Sequence, residues 1–185
     1  MQILLTDYQQ GAAVATALVN TLPGIHRGGD ALPGPTELDR WLADNDLQLG
    51  RSARADVLAV HQLRAELFDA ITAPDAATLA ARAGRLTSTN GVAPVLTPDD
   101  NGRWQWQVAA PPGAGLAGRL ALLTATGVLA TLRSLGHDRF RECSSPACTG
   151  VFIDTSRAGR RRYCRPEVCG NRINVAAYRA RLTSS

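Results

Sequence analysis

Lysine is missing altogether from this 185-residue chain, and its 20 basic side chains are all arginine. Base composition of a gene can produce that bias, so no mechanism follows from it alone. Aromatic residues are scarce, at 5%, which leaves Leu, Val and Ala to build the interior. Cysteine does not occur before Cys143, so no disulfide can staple the long first part of the chain. The opening MQILLTDYQQ has no basic region, no long apolar stretch and no small-residue cleavage site, and it reads as an unprocessed cytoplasmic protein. The most apolar stretch, 115–136, is interrupted by Arg119 and Arg133. The 13 residues between them fall short of the roughly 20 that a membrane span needs, so a buried core helix with no membrane partner is expected.

Catalytic signatures are missing as well. The chain has no HExxH, no Walker A or GxGxxG phosphate loop and no GxSxG, and His26, His61 and His137 are scattered without an obvious nucleophile. An enzyme is not expected. There is no internal repeat.

What is present is the composition of a folded domain: 45% hydrophobic residues in 19.6 kDa, enough for one ordinary core and a small appended module. The pattern predicts a mainly α protein with one small β-hairpin. Tyr8 to Leu22 is rich in Ala, Val and Leu and is ended by Pro23-Gly24. After a Gly/Pro loop, Pro35-Thr36 opens a short helix carrying Leu38, Trp41 and Leu42, with Thr36 as its N-cap. Val57, Val60, Leu63, Leu67 and Ile71 recur at helical spacing, and Pro74-Asp75 starts another helix through about Leu86. VAPVL and RWQWQV flank TPDDNG, which predicts a hairpin. Trp104 and Trp106 alternate with Gln105 and Gln107, so both indoles share a face, expected to pack on the helices. Gly136 marks the boundary between a helical domain, 1–136, and a terminal module, 137–185.

The charge is unevenly divided. Residues 1–138 carry a net −3 and residues 139–185 a net +7. An acidic body with a basic end suggests a nucleic-acid partner for that end. All four cysteines lie in the same basic segment, as C-x4-C, 15 residues, C-x4-C: Cys143, Cys148, Cys164 and Cys169. Two short-spaced pairs suit one structural Zn2+, which takes four thiolates tetrahedrally at about 2.3 Å. An iron–sulfur cluster is the alternative for four cysteines. Disulfides need an oxidising compartment, and nothing in the sequence directs export. A segment this short cannot bury a sufficient core alone, so a bound ion would supply folding free energy. Four protein thiolates also leave no open position for a catalytic water.

The fourfold cysteine pattern ending in CGNR, preceded by DTSRAGRRRYC, resembles the CGNR zinc finger, a family found mainly in actinobacteria and their relatives. The likeness runs from Cys143 to about Arg179 and takes in Phe152, Asp154-Thr155-Ser156, Arg160-Arg161-Arg162 and Cys169-Gly170-Asn171-Arg172. The family's four ligands fall on Cys143, Cys148, Cys164 and Cys169. Members pair the finger with an N-terminal helical domain called ABATE, proposed to belong to stress-linked transcription regulators. LVNTL (18–22), a loop Arg27 and ELDRWL (37–42) match that domain. The resemblance implies a treble- or knuckle-type finger ending in a helix, and double-stranded DNA as partner.

On that reading Arg157, Arg160, Arg161, Arg162, Arg172 and Arg179 are the candidate DNA contacts. In NRINVAAYRARL, Arg172 and Arg179 share one helical stripe, while Ile173, Ala176, Ala177 and Ala180 form an apolar one facing the knuckles. Four thiolates on Zn2+ leave the module at +5, still basic. Asn171 is a candidate base reader, or a cap within the knuckle. One finger has a small footprint, so a homodimer formed through the helical domain is expected. Asn20, Arg27 and Trp41 are candidate positions for a small-molecule effector. The alternative is a zinc-knuckle module that binds an acidic protein.

Overall fold

The computed structural model describes residues 2–4, 8–25, 29–173 and 175. Five helices build the body: α1 (Tyr8–Val19), α2 (Pro35–Asp44), α3 (Arg54–Ile71), α4 (Ala76–Asn90) and α5 (Leu116–Leu135). Three strands, β1 (Gln2–Leu4), β2 (Val95–Pro98) and β3 (Trp104–Ala109), form an antiparallel sheet in the order β1-β3-β2. A second hairpin, β4 (Phe140–Glu142) with β5 (Val151–Ile153), follows α5 and opens the cysteine module.

α5 is the centre of the body because it is apolar on most of its circumference and has neighbours to match. It packs against α1, α3 and α4, and Leu120, Leu122, Ala125 and Val128 are essentially inaccessible. By length and composition Leu116–Leu135 could cross a membrane, despite the two arginines; 67% of its apolar window is buried inside the fold. α1 crosses α5 with backbone in contact. A Cβ on Gly127 would lie 2.4 Å from the Gly11 carbonyl carbon, and one on Gly11 would lie 2.5 Å from the Leu123 oxygen. No side chain fits between them.

α3 carries Val57, Val60, Leu63, Leu67 and Ile71 on its buried face, as its periodicity predicts. Among them lies Arg64, 3% exposed, with its guanidinium in a fork-to-fork pair with Asp30 at 2.8 and 2.7 Å. The Arg64 guanidinium holds the Asp30 carboxyl well below its ordinary value, at about 2. The pair anchors the loop after α1 to α3, and Arg64 also donates to the Thr21 carbonyl and hydroxyl.

Several expectations need correction. Thr36 is not the N-cap of α2: Gly34 occupies that position, and Pro35 takes the first helical turn, where its missing N–H costs nothing. α1 ends at Val19 rather than Leu22, and α4 runs on to Asn90. The hairpin strand starts at Val95 and extends through Pro98, and a third strand, β1, joins it. Trp104 and Trp106 share a face but do not pack on the helices; they are 68% and 53% exposed. Only the inner end of β3 reaches the core, where Val108 pairs with Ile3 and both are buried.

Candidate metal centre

β5 is a three-residue strand with both faces covered, and this sets the position of everything that follows. Alternation along a strand sends neighbouring side chains to opposite sides. Val151 and Ile153 enter the core of the helical body, while Phe152, 0% exposed, packs with Cys164 and Cys169. One strand thus belongs to two interiors.

α1 and Asn20, the residue that follows it, fix β5 by side-chain hydrogen bonds. The Asn20 amide donates to the Val151 carbonyl at 2.6 Å, and its oxygen accepts from the Val151 amide at 3.2 Å. One turn earlier, the Thr16 hydroxyl accepts from the Ile153 amide at 3.0 Å. Asn20 therefore stands in for a neighbouring strand, satisfying backbone groups that are buried far from water. Its oxygen would be 2.4 Å from a Cβ on Gly150, whose Cβ would also lie 2.9 Å from the Cys164 sulfur and 3.2 Å from the Cys148 sulfur. Gly150 is the narrow point between Asn20, at the end of α1, and the thiols.

The four sulfurs converge. Those of Cys143, Cys148, Cys164 and Cys169 all lie within 4.8 Å of one another. Cys148 and Cys164 are 3.6 Å apart, and Cys164 and Cys169 are 3.9 Å apart. A tetrahedron with Zn–S bonds of about 2.3 Å has sulfur–sulfur edges of about 3.8 Å, so the spacing fits one ion. It leaves no room for a cluster of several irons, and none of the four is disulfide-bonded. The first knuckle is shaped by main-chain bonds: the Cys143 amide donates to the Gly150 carbonyl at 2.8 Å and the Gly150 amide points at the Cys148 sulfur at 3.3 Å. The second runs through a tight turn, Pro166–Gly170, that continues as helical residues 171–173.

The acidities follow from this crowding. Burial, then the neighbouring thiols, pushes the Cys164 thiol far up, and the same causes raise Cys169 to about 11. At Cys143 burial acts against the thiolate, but the Cys164 and Ser145 backbone amides and the neighbouring thiols hold it below its ordinary value. Gathering four thiolates is thus unfavourable until a dication balances them, which is what Zn2+ supplies when bound. Four protein donors close the coordination shell, so the site is structural.

A second hub orders the basic loop. Asp154 is fully buried; its carboxylate accepts from the Ser156 amide at 3.0 Å, the Ser156 hydroxyl at 2.6 Å, the Arg161 amide at 3.0 Å and the Arg141 guanidinium at 3.4 Å. Burial opposes its charge, yet these bonds outweigh it and hold the carboxyl below its ordinary value. Arg139, immediately before β4, and Arg141, on it, donate to the carbonyls of Ser156 and Gly159 respectively, each at 2.9 Å. Gly159 has a positive φ of 60°, and a Cβ there would meet the Arg139 guanidinium at 2.6 Å.

The nominated arginines separate into two kinds. Arg161 is an internal brace: its guanidinium lies 4.9 Å above the Phe152 ring and donates to the carbonyls of Tyr163 and Cys164. Arg157, Arg160, Arg162 and Arg172 are exposed around the knot, together with Arg165, which is not among the candidate DNA contacts. Arg179 lies outside the described residues, as do Ala176, Ala177 and Ala180 of its helical stripe. The Asn171 amide donates to the Glu167 carbonyl at 2.7 Å, so it caps the turn. Asn20 sits at the seam just described, Trp41 is half-buried against the main core, and Arg27 lies outside the described residues. Neither Asn20 nor Trp41 lines the open cleft of about 720 Å³ between α3, α4 and α5, whose walls carry Gln62, Glu66, Arg82, Arg85 and Asn90.

A closed four-thiolate knot with an ordered arginine loop, joined by one strand to a helical body, defines a structural zinc-finger protein. Residues 139–182 match the CGNR zinc finger, and residues 12–134 match ABATE, described as a "putative stress-induced transcription regulator". The chain belongs to the ABATE family and carries a CGNR zinc finger after the helical domain. Neither family is a catalytic one. The search of curated proteins found no match.

Proposed function

We propose that the chain is a DNA-binding transcription regulator of the cytoplasm, in which the ion shapes a cationic surface for duplex DNA. The observation that carries this reading is the set of exposed arginines, Arg157, Arg160, Arg162 and Arg172, on a module in which Arg139, Arg141 and Arg161 are spent on holding the loop. Exposed guanidiniums on a rigid frame suit phosphates, which they contact in a forked geometry. The division near Gly136 then separates roles rather than interiors: residues 137–185 engage DNA, and residues 1–136 pair two copies and sense an effector. The cleft between α3, α4 and α5 offers two arginines, Arg82 and Arg85, and two carboxylates, Glu66 and Asp69, for such a ligand.

The test is the salt dependence of binding to duplex DNA. Engagement of four phosphates gives a slope of about −3.6 in log K against log salt, at about 0.9 per phosphate. Substituting Arg160 and Arg162 by glutamine reduces that slope by about 2 without changing zinc content. A slope near zero for the wild type contradicts the reading, and retention of an acidic protein under those conditions would instead favour the protein-interaction role.

A further inference from the structure

The apolar surface that neither the core nor the metal centre uses is gathered in one place. Among the described residues, the large hydrophobic side chains left exposed are Val92, Val95, Leu96, Trp104 and Trp106 in and beside the β2–β3 hairpin, with Leu58 and Val175 standing apart. Leu96 pairs with Trp106 and Pro98 with Trp104 across the two strands, so all four point to the same face. This hairpin is firmly built. The Asp99 carboxylate accepts from the amides of Asn101 and Arg103, each at 2.9 Å, and the Asp99 amide closes the turn on the Arg103 carbonyl at 2.8 Å. The indoles are therefore held out on a stiff arm, and β2 is an edge strand with β3 as its neighbour.

We infer that this face is where two copies of the chain meet, each laying Leu96, Pro98, Trp104 and Trp106 against the same residues of the other about a two-fold axis. Three observations favour a second copy as occupant. A two-fold contact sets a surface against itself, so any charged patch would face its own sign. The body is net acidic and the finger net basic, whereas these four side chains carry no charge. The area is also sufficient. An aromatic side chain buries about 150–250 Å². Two indoles more than half exposed, with the flanking aliphatic groups, thus offer roughly 500 Å² per copy, or about 1,000 Å² in all. That reaches the lower bound for a specific interface and fits a reversible dimer rather than an obligate one. Elsewhere among the described residues no comparable group of exposed apolar side chains occurs. The inference deepens the paired-copy part of the proposed function, and it is tested without DNA.

Sedimentation equilibrium of the full, zinc-loaded chain across the micromolar range is expected to show the mass rising from one chain to two. In W104S/W106S the dimer should weaken at least tenfold, with zinc content unchanged and with the melting temperature unchanged at concentrations where both proteins are monomeric. A wild type that stays monomeric throughout overturns the inference, and so does a variant that dimerises as well as the wild type. Should the variant fold poorly, acrylamide quenching of the wild type decides the matter. Trp41 is already half-buried, so loss of quenching as the mass doubles reports Trp104 and Trp106 becoming covered, and unchanged quenching contradicts it. Failure of the DNA reading looks different: the dimer forms normally, and the salt slope is flat.

Discussion

The helical body closes over Leu18, Leu38, Leu67, Leu79, Leu120 and Val128, all essentially inaccessible to water, whereas the finger's own interior is Phe152 with the buried sulfurs of Cys164 and Cys169. Loss of any one aliphatic side chain from the first leaves many others in place. The second has almost no apolar reserve, and its stability is concentrated on one ion and one carboxylate. Yet the two share β5, with Val151 and Ile153 on one side and Phe152 on the other. Small modules without a core of their own can thus be held by a metal within and by a neighbour's interior without.

The sharpest way to break that comparison is to remove the metal. Structural zinc contributes on the order of 10 kcal/mol to folding of such modules. With a chelator, amide exchange measured by mass spectrometry should rise throughout residues 139–173. The helical body should stay folded but melt lower, because Val151 and Ile153 no longer fill its core. Equal loss in both halves would make them one cooperative unit, and no loss anywhere would remove the ion from the account.

The converse change strikes the body alone. Gly127→Ala forces a methyl group into the backbone of α1 and should cost about 3 kcal/mol in urea denaturation, with zinc retained. Between these lies the seam. Asn20→Ala leaves the Val151 amide and carbonyl without their side-chain partner and should cost about 1–3 kcal/mol. It should also speed zinc release to a chelator, a response that Gly127→Ala does not share.

The smallest effect is an acid one confined to the body. Because the Asp30 carboxyl is depressed from 3.8 to about 2, its pair with Arg64 contributes stability that is fully present above the ordinary value and is lost as pH falls through about 2. Asp30→Asn should flatten the acid limb of the stability–pH curve there. An unchanged limb would mean that other carboxylates, such as Asp154, dominate it.

The ligand set and the main helices were legible because their signals are local. Cysteine spacing fixes which thiols can reach one ion, and the repeat of Val57, Val60, Leu63, Leu67 and Ile71 fixes a helix face. Asp154 followed by Ser156 two residues on is also a local signal, an Asx-type turn, and could have been read as such. The seam was not legible. Asn20 and Val151 are 131 positions apart, and nothing near Asn20 announces that its amide completes a strand. Nor does Arg161 differ in sequence from Arg160 and Arg162, although it turns inward over Phe152. The tryptophans misled for a related reason. Alternation shows that two residues share a face, but only the placement of the strand shows what that face meets.

Native mass spectrometry of the full chain, beside Cys164→Ser, tests the central claim most directly. The account expects one zinc per wild-type chain, and in the variant loss of the ion together with increased exchange around Asp154 and the exposed arginines. A metal-free chain whose finger is equally protected, or a mass lighter by the hydrogens lost to disulfides, would contradict it.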